Sequence, residues 1–108
     1  MMDKKQLYTL GTWKVKLGKE AEFVEAWQAF ADWTSLNQPG AGEGILLQNE
    51  DRPDLFISFG PWESAENVVH WRAQPEFQDF LSNARDLCIE MQPQNMVQVG
   101  RSVPRKSK

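Results

Sequence analysis

Gly44-Ile-Leu-Leu-Gln48 and Leu55-Phe-Ile-Ser-Phe59 carry apolar side chains on both sides of the pleat. Successive strand residues point to opposite faces, so a sheet wet on one face alternates apolar and polar residues more cleanly than this. The helices of one chain cover one face only. The other face is then an apolar patch, and its burial at about 25 cal/mol per Å² offers a driving force of many kcal/mol. The simplest cover is the same face of a second copy across a two-fold axis. A homodimer is the expectation.

Glu50-Asp-Arg-Pro53 joins the two segments with polar turn residues, so strands over Gly44–Asn49 and Asp54–Phe59 form a hairpin. The acidic side chains Glu50, Asp51 and Asp54 read as its solvated tip, because no EF-hand spacing or histidine accompanies them. Upstream, Tyr8 to Leu17 is a strand in which Gly11, Trp13, Val15 and Leu17 alternate with Thr12, Lys14 and Lys16, and Gly18 closes it. A helix follows over Lys19 to Leu36. Phe23, Trp27, Phe30 and Thr34 form its stripe, and Glu20, Glu22 and Glu25 suit the positive end of its dipole. Asn37-Gln-Pro-Gly-Ala-Gly42 breaks the chain.

Downstream, Ser64 is a good N-cap for a helix running to Ala73, and Pro75 opens another. Phe77, Phe80, Leu81, Ala84 and Cys88 continue that second helix as an apolar stripe, and a last strand spans Asn95 to Gly100 after Pro93. The order is strand, helix, strand, strand, helix pair, strand. This is an α+β, ferredoxin-like split β-α-β domain, a four-stranded antiparallel sheet with its helices on one face.

A chain of 108 residues makes one domain, with a core over about 7–100 and a basic tail at 101–108. Four of the 12 basic residues lie in that tail (Arg101, Arg105, Lys106, Lys108), which leaves an acidic body before it. An acidic body repels phosphate backbones, so nucleic acid is not an expected partner. The tail reads as a solvated terminus. No apolar run approaches the roughly 20 residues needed to cross a bilayer, and no signal-peptide pattern opens the chain. The expected setting is the cytoplasm, without a membrane partner. Cys88 is the lone cysteine and reads as core.

Three segments then stand out as a set: Val15-Lys-Leu-Gly-Lys-Glu-Ala-Glu-Phe23, Pro61-Trp-Glu-Ser64, and His70-Trp-Arg-Ala-Gln-Pro-Glu-Phe-Gln78. From Tyr8 to about Gly100 this layout resembles the antibiotic biosynthesis monooxygenase family of dimeric α-β barrels. The resemblance implies a pocket between sheet and helices. It also implies oxidation of a small aromatic substrate of phenol, quinol or anthrone type by O2, with neither metal nor flavin. Trp62 matches the tryptophan of anthrone-oxidising members. Ser58 stands where they carry asparagine, and Leu81 at or near their arginine. In the haem-degrading branch, Trp71 matches a tryptophan, but Gly11 and Leu81 replace its asparagine and iron-binding histidine. No cofactor is expected.

His70 is the natural general base by its ordinary pKa, with a surface position as the plainer reading. Ser58 is the candidate hydrogen-bond donor. Trp62, Trp71 and Trp13 are candidate walls, with room beside Trp13 left by Gly11. Trp27 and Trp33 are expected in the core. Leu81 and Asn67 complete the candidate substrate-binding set, and Arg72 is expected to pair with Asp79 or Glu76 on the surface. Two further functions compete with oxygenase chemistry: a non-catalytic ligand-binding or stress-response module, and, third, haem degradation.

Overall fold

Alternation in the first strand sets the layout. In β1 (Leu7–Val15) the residues Gly11, Trp13 and Val15 are buried, while Thr12 and Lys14 between them are only partly covered. The computed structural model, which describes residues 5–105, pairs β1 on one edge with β3 (Leu55–Trp62) and on the other with β4 (Cys88–Val97). β2 (Ile45–Gln48) adds outside β3, giving a four-stranded antiparallel sheet of order β2-β3-β1-β4. With helices α1 (Glu20–Asn37), α2 (Ala65–Arg72) and α3 (Pro75–Arg85), the architecture is α+β and ferredoxin-like.

One face of the sheet holds the core. Phe23 of α1 is fully buried, its ring centroid 5.1 Å from Trp13 and 4.9 Å from Phe56. Trp27 and Ala84 join this cluster, with Leu81, Cys88 and Met91 packed against it. Local sequence sets the entry to the first two helices. Gly18 takes φ +83° between β1 and α1, a conformation open to glycine without a Cβ penalty. Ser64 caps α2, its Oγ accepting from the Asn67 backbone N–H at 3.1 Å.

The opposite face carries Ile45, Leu47 and Ile57, exposed by 37%, 52% and 44% in the single chain. Register places Leu47 beside Ile57 and Ile45 beside Phe59, so these residues form one continuous apolar patch. Among the described residues no helix is long and apolar enough to cross a membrane.

Three expectations need correction. β1 stops at Val15, and Leu17 is almost fully exposed in the turn. Cys88 does not extend the helical stripe: α3 ends at Arg85 and Cys88 begins β4. The last strand therefore starts seven residues before Asn95 and ends at Val97, running straight through Pro93. Proline lacks a donor, yet β4 is an edge strand with one row of groups free of ladder bonds, so it is tolerated there. Of the basic tail, Arg101 and Arg105 are exposed, whereas Lys106 and Lys108 lie outside the described residues.

Cys88 remains half-buried, its Sγ 3.4 Å from the Ala84 carbonyl. Burial pushes its thiol up to about 11, against the opposing charge of Lys16. The thiolate is the reactive form, and from an ordinary value of 9.0 this rise leaves on the order of a hundredfold less of it at pH 8. Iodoacetamide at pH 8 is expected to label Cys88 far more slowly in native than in urea-unfolded protein. Because the native pKa is raised, the associated stability is complete below about pH 9 and declines as pH climbs towards 11. Equal labelling rates would contradict this placement.

Candidate functional site

A cavity of about 470 Å³ lies between the inward face of the sheet and the three helices. Its size falls within the range that accommodates small organic ligands. The period of two along β1 and β3 aims Thr9, Gly11 and Trp13, then Ser58 and Trp62, into this space. α1 contributes Trp27, Phe30 and Thr34, α2 contributes Trp71 and Arg72, and α3 contributes Phe77, Leu81 and Arg85.

The walls are aromatic and fixed. Trp62 and Trp71 lie 4.8 Å apart between ring centroids, and Phe77 meets Trp71 edge-on at 4.7 Å. Three indole N–H groups are each occupied by a hydroxyl of the protein. Trp13 Nε1 donates to Ser58 Oγ at 2.9 Å, Trp62 Nε1 to Thr9 Oγ1 at 3.0 Å, and Trp71 Nε1 to Thr34 Oγ1 at 3.0 Å. Thr34 Oγ1 in turn donates to the Phe30 carbonyl at 2.9 Å. Each indole is therefore held in orientation and offers a ligand only carbon surface.

Ser58 has a different role available to it. It is a buried polar residue in an apolar wall, 9% exposed. A serine hydroxyl can accept and also donate, and the Trp13 indole takes up one of its lone pairs. Among the described residues its proton has no protein acceptor. The hydroxyl is thus poised as a donor towards the cavity, suited to an acceptor oxygen on a ligand. Thr9 sits one diagonal step away across β1 and β3, equally engaged by an indole, and presents a second such hydroxyl.

Gly11 makes the first of these bonds possible. A Cβ at this position would stand 3.0 Å from Trp13 Nε1 and 3.1 Å from Ser58 Oγ, crowding both partners. Any side chain here would press on the bonded pair.

Of the candidate residues, the structure gathers Ser58, Trp62, Trp71, Trp13, Gly11 and Leu81 around one cavity. Trp27 is both core and cavity wall, and Trp33 is half-buried beside Phe80 at 5.3 Å. His70 and Asn67 are not brought there. His70 is exposed and lies against Gln74, its Nε2 3.2 Å from the amide nitrogen, because its face of α2 turns to solvent. Asn67 belongs to the α2 cap, where its Oδ1 accepts from Ser64 Oγ at 2.7 Å and its side chain closes over Gly40. Arg72 pairs with neither Asp79 nor Glu76. Its Nη2 donates to Asn95 Oδ1 at 2.9 Å, across to β4. Thr9, Thr34, Arg72 and Arg85 were not among the candidates; Thr9 had a legible signal in its period-two spacing from Gly11 and Trp13, and Thr34 in its place on the α1 stripe. Among the described residues no group of three or more His, Cys, Asp or Glu side chains comes together.

Residues 7–83 match the family model described as antibiotic biosynthesis monooxygenase. Among curated proteins none matches the chain. Solved structures share its fold. SnoaB, a cofactor-independent oxygenase from Streptomyces nogalater, superposes with a TM-score of 0.82 at 20% identity, covering 94% of this chain and 100% of that one. A protein from Bordetella bronchiseptica named for the same family gives 0.78 at 18% identity over 89% and 99% of the two chains. A conserved protein from Methanosarcina mazei gives 0.76 at 13% identity over 85% and 91%. At these identities the likeness is one of fold.

Proposed function

The chain belongs to the antibiotic biosynthesis monooxygenase family, and on that premise we propose that it oxidises a small aromatic substrate of phenol, quinol or anthrone type with O2. The observation that carries this reading is the Trp13–Ser58 pair at 2.9 Å, which aims a hydroxyl donor into an aromatic cavity. An anthrone-type methylene loses a proton to give an electron-rich anion whose charge rests on its ring oxygen. Ser58 donates to that oxygen, favouring the anion where it develops. The anion reduces O2; one oxygen atom becomes the new carbonyl and the other leaves as water with the two methylene hydrogens. Trp62 and Trp71, packed against each other, form one wall for the ring system. His70 is too far out to act as base, so a bound water carries the proton away. Oxygen uptake with a quinol and anthrone series tests the proposal, and pure protein that consumes no O2 with any of them would refute it.

One observation favours a second reading, a binding module without turnover. The cavity wall has Leu81 in place of a polar group, and among the described residues no His, Cys, Asp or Glu lines it. A small molecule that copurifies and is returned unaltered would support this alternative. Haem degradation fits less well. His70 is the chain's one histidine and lies outside the cavity, so the residues present offer no imidazole ligand for iron there. A haem titration without a Soret shift would close that reading.

The working unit in this proposal is a homodimer, with the sheet face of Ile45, Leu47 and Ile57 covered by its copy. Leu47→Lys combined with Ile57→Asp is expected to give a folded single subunit, read by native mass spectrometry. Both side chains are about half-exposed in the single chain, so the fold itself should tolerate the change. A wild-type protein that is monomeric at micromolar concentration would contradict the assignment.

A further inference from the structure

Charge on the cavity wall is one-sided. The body of the chain is acidic, yet among the described residues no Asp or Glu lines the cavity, while Arg72 and Arg85 both do. Salt bridges among the described residues join Lys19 to Glu22 and Arg52 to Asp54, and neither cavity arginine takes part in one. Arg72 is instead held by a neutral group, Asn95 Oδ1 at 2.9 Å, with its guanidinium carbon 5.9 Å from the Trp71 ring centroid. Asn95 fixes the plane without neutralising it. One of the five guanidinium N–H donors is occupied in this way, so four remain for other partners. Burial alone lowers the pKa of Arg72, and no carboxylate opposes that effect.

We propose that Arg72, oriented by Asn95, is the anchor for a carboxylate on the aromatic ligand. The inference rests on the cavity being the ligand site and narrows the substrate class to aromatic acids. A guanidinium fork matches two oxygens on one carbon, whereas a phenolate presents a single oxygen. Placement supports two separate polar anchors. Ser58 lies opposite Gly11 on one side of β1, and Asn95 lies opposite Thr9 on the other. Their backbones are thus two strand spacings apart, roughly 10 Å across the sheet. A flat ring system can place an acceptor oxygen at Ser58 and a carboxylate at Arg72, with Trp62 and Trp71 along its body.

The test uses the intact protein and three probes of one shape: 2-naphthoate, naphthalene-2-carboxamide and 2-naphthol. Binding is followed by calorimetry under nitrogen, so turnover plays no part. Wild type should prefer the carboxylate to the carboxamide by about tenfold or more, as expected for a charge-assisted pair near the surface. Arg72→Gln should erase the preference, lowering carboxylate affinity far more than carboxamide affinity, and Arg72→Lys should restore part of it. Asn95→Ala should reduce the preference several-fold without moving carboxamide affinity, which marks Asn95 as a positioning residue. Equal binding of carboxylate and carboxamide would overturn the proposal. So would stronger binding of the naphthol, a preference untouched by Arg72→Gln, or no binding of any probe. A carboxylate preference in a protein that consumes no oxygen would leave this inference standing and remove the oxygenase reading alone.

Discussion

Ser58→Ala is expected to lower kcat for a turned-over anthrone or quinol by about 10²- to 10³-fold, the usual loss when one donor to a developing oxyanion is removed. KM should hardly change, because the hydroxyl acts most strongly after charge has gathered on the substrate oxygen. The substitution leaves a small gap and frees the Trp13 indole N–H, which is otherwise bonded at 2.9 Å. Trp13→Phe probes the same device from the other side. It keeps most of the ring and releases Ser58 to rotate, so it should cost less than Ser58→Ala and broaden the oxygen positions accepted. If Ser58→Ala raised KM and left kcat alone, the hydroxyl would be a uniform binding contact and the catalytic proposal would lose its central part.

Phe23→Ala is expected to destabilise the fold by about 3–5 kcal/mol, the range for deleting a buried phenylalanine ring. Phe23 has no exposed surface and bridges Trp13 on β1 to Phe56 on β3. Its loss removes the contact that ties α1 to both central strands. For a domain of this size the melting temperature should fall on the order of 15 °C or more. Val24 is next to it on α1 but 41% exposed, and Val24→Ala should change stability by no more than about 0.5 kcal/mol. Urea titrations of the two variants make the comparison. A Phe23→Ala protein within about 1 kcal/mol of wild type would mean the core is not assembled around this ring.

Much of the layout was legible because burial imposes a period. Gly11, Trp13 and Val15 recur every second residue, and Phe23, Trp27 and Phe30 every third or fourth, as sheet and helix demand. The same signal misled at Cys88. From Phe77 through Leu81 and Ala84 the helical spacing continues to Cys88, although Asp86 and Leu87 already turn the chain towards β4. Pro93 then looked like a boundary, since a proline interrupts most strands; only the edge position of β4 removes that objection.

The site was half-readable for a similar reason. Side chains placed by alternation, such as Gly11 and Trp13, could be assigned to one strand face from their spacing, whereas Ser58 and Trp62 came through the family resemblance. Pairings made across the fold could not. Arg72 has carboxylates nearby in sequence at Glu76 and Asp79, yet its partner Asn95 is 23 residues away. His70 carried the right chemistry but the wrong azimuth on α2, and azimuth depends on what the helix packs against.

Ile57 and Ser58 are consecutive on β3 and point to opposite sides of a sheet one layer thick. That sheet is a septum, with the cavity on one side and the apolar outer wall on the other. Whatever rests against Ile57 also steadies the backbone from which Ser58 reaches inward. For the proposed homodimeric oxygenase, stripping the outer wall bare by dilution should therefore loosen the donor before it unfolds the protein, and specific activity should fall at concentrations where the far-ultraviolet circular dichroism is still that of the native chain.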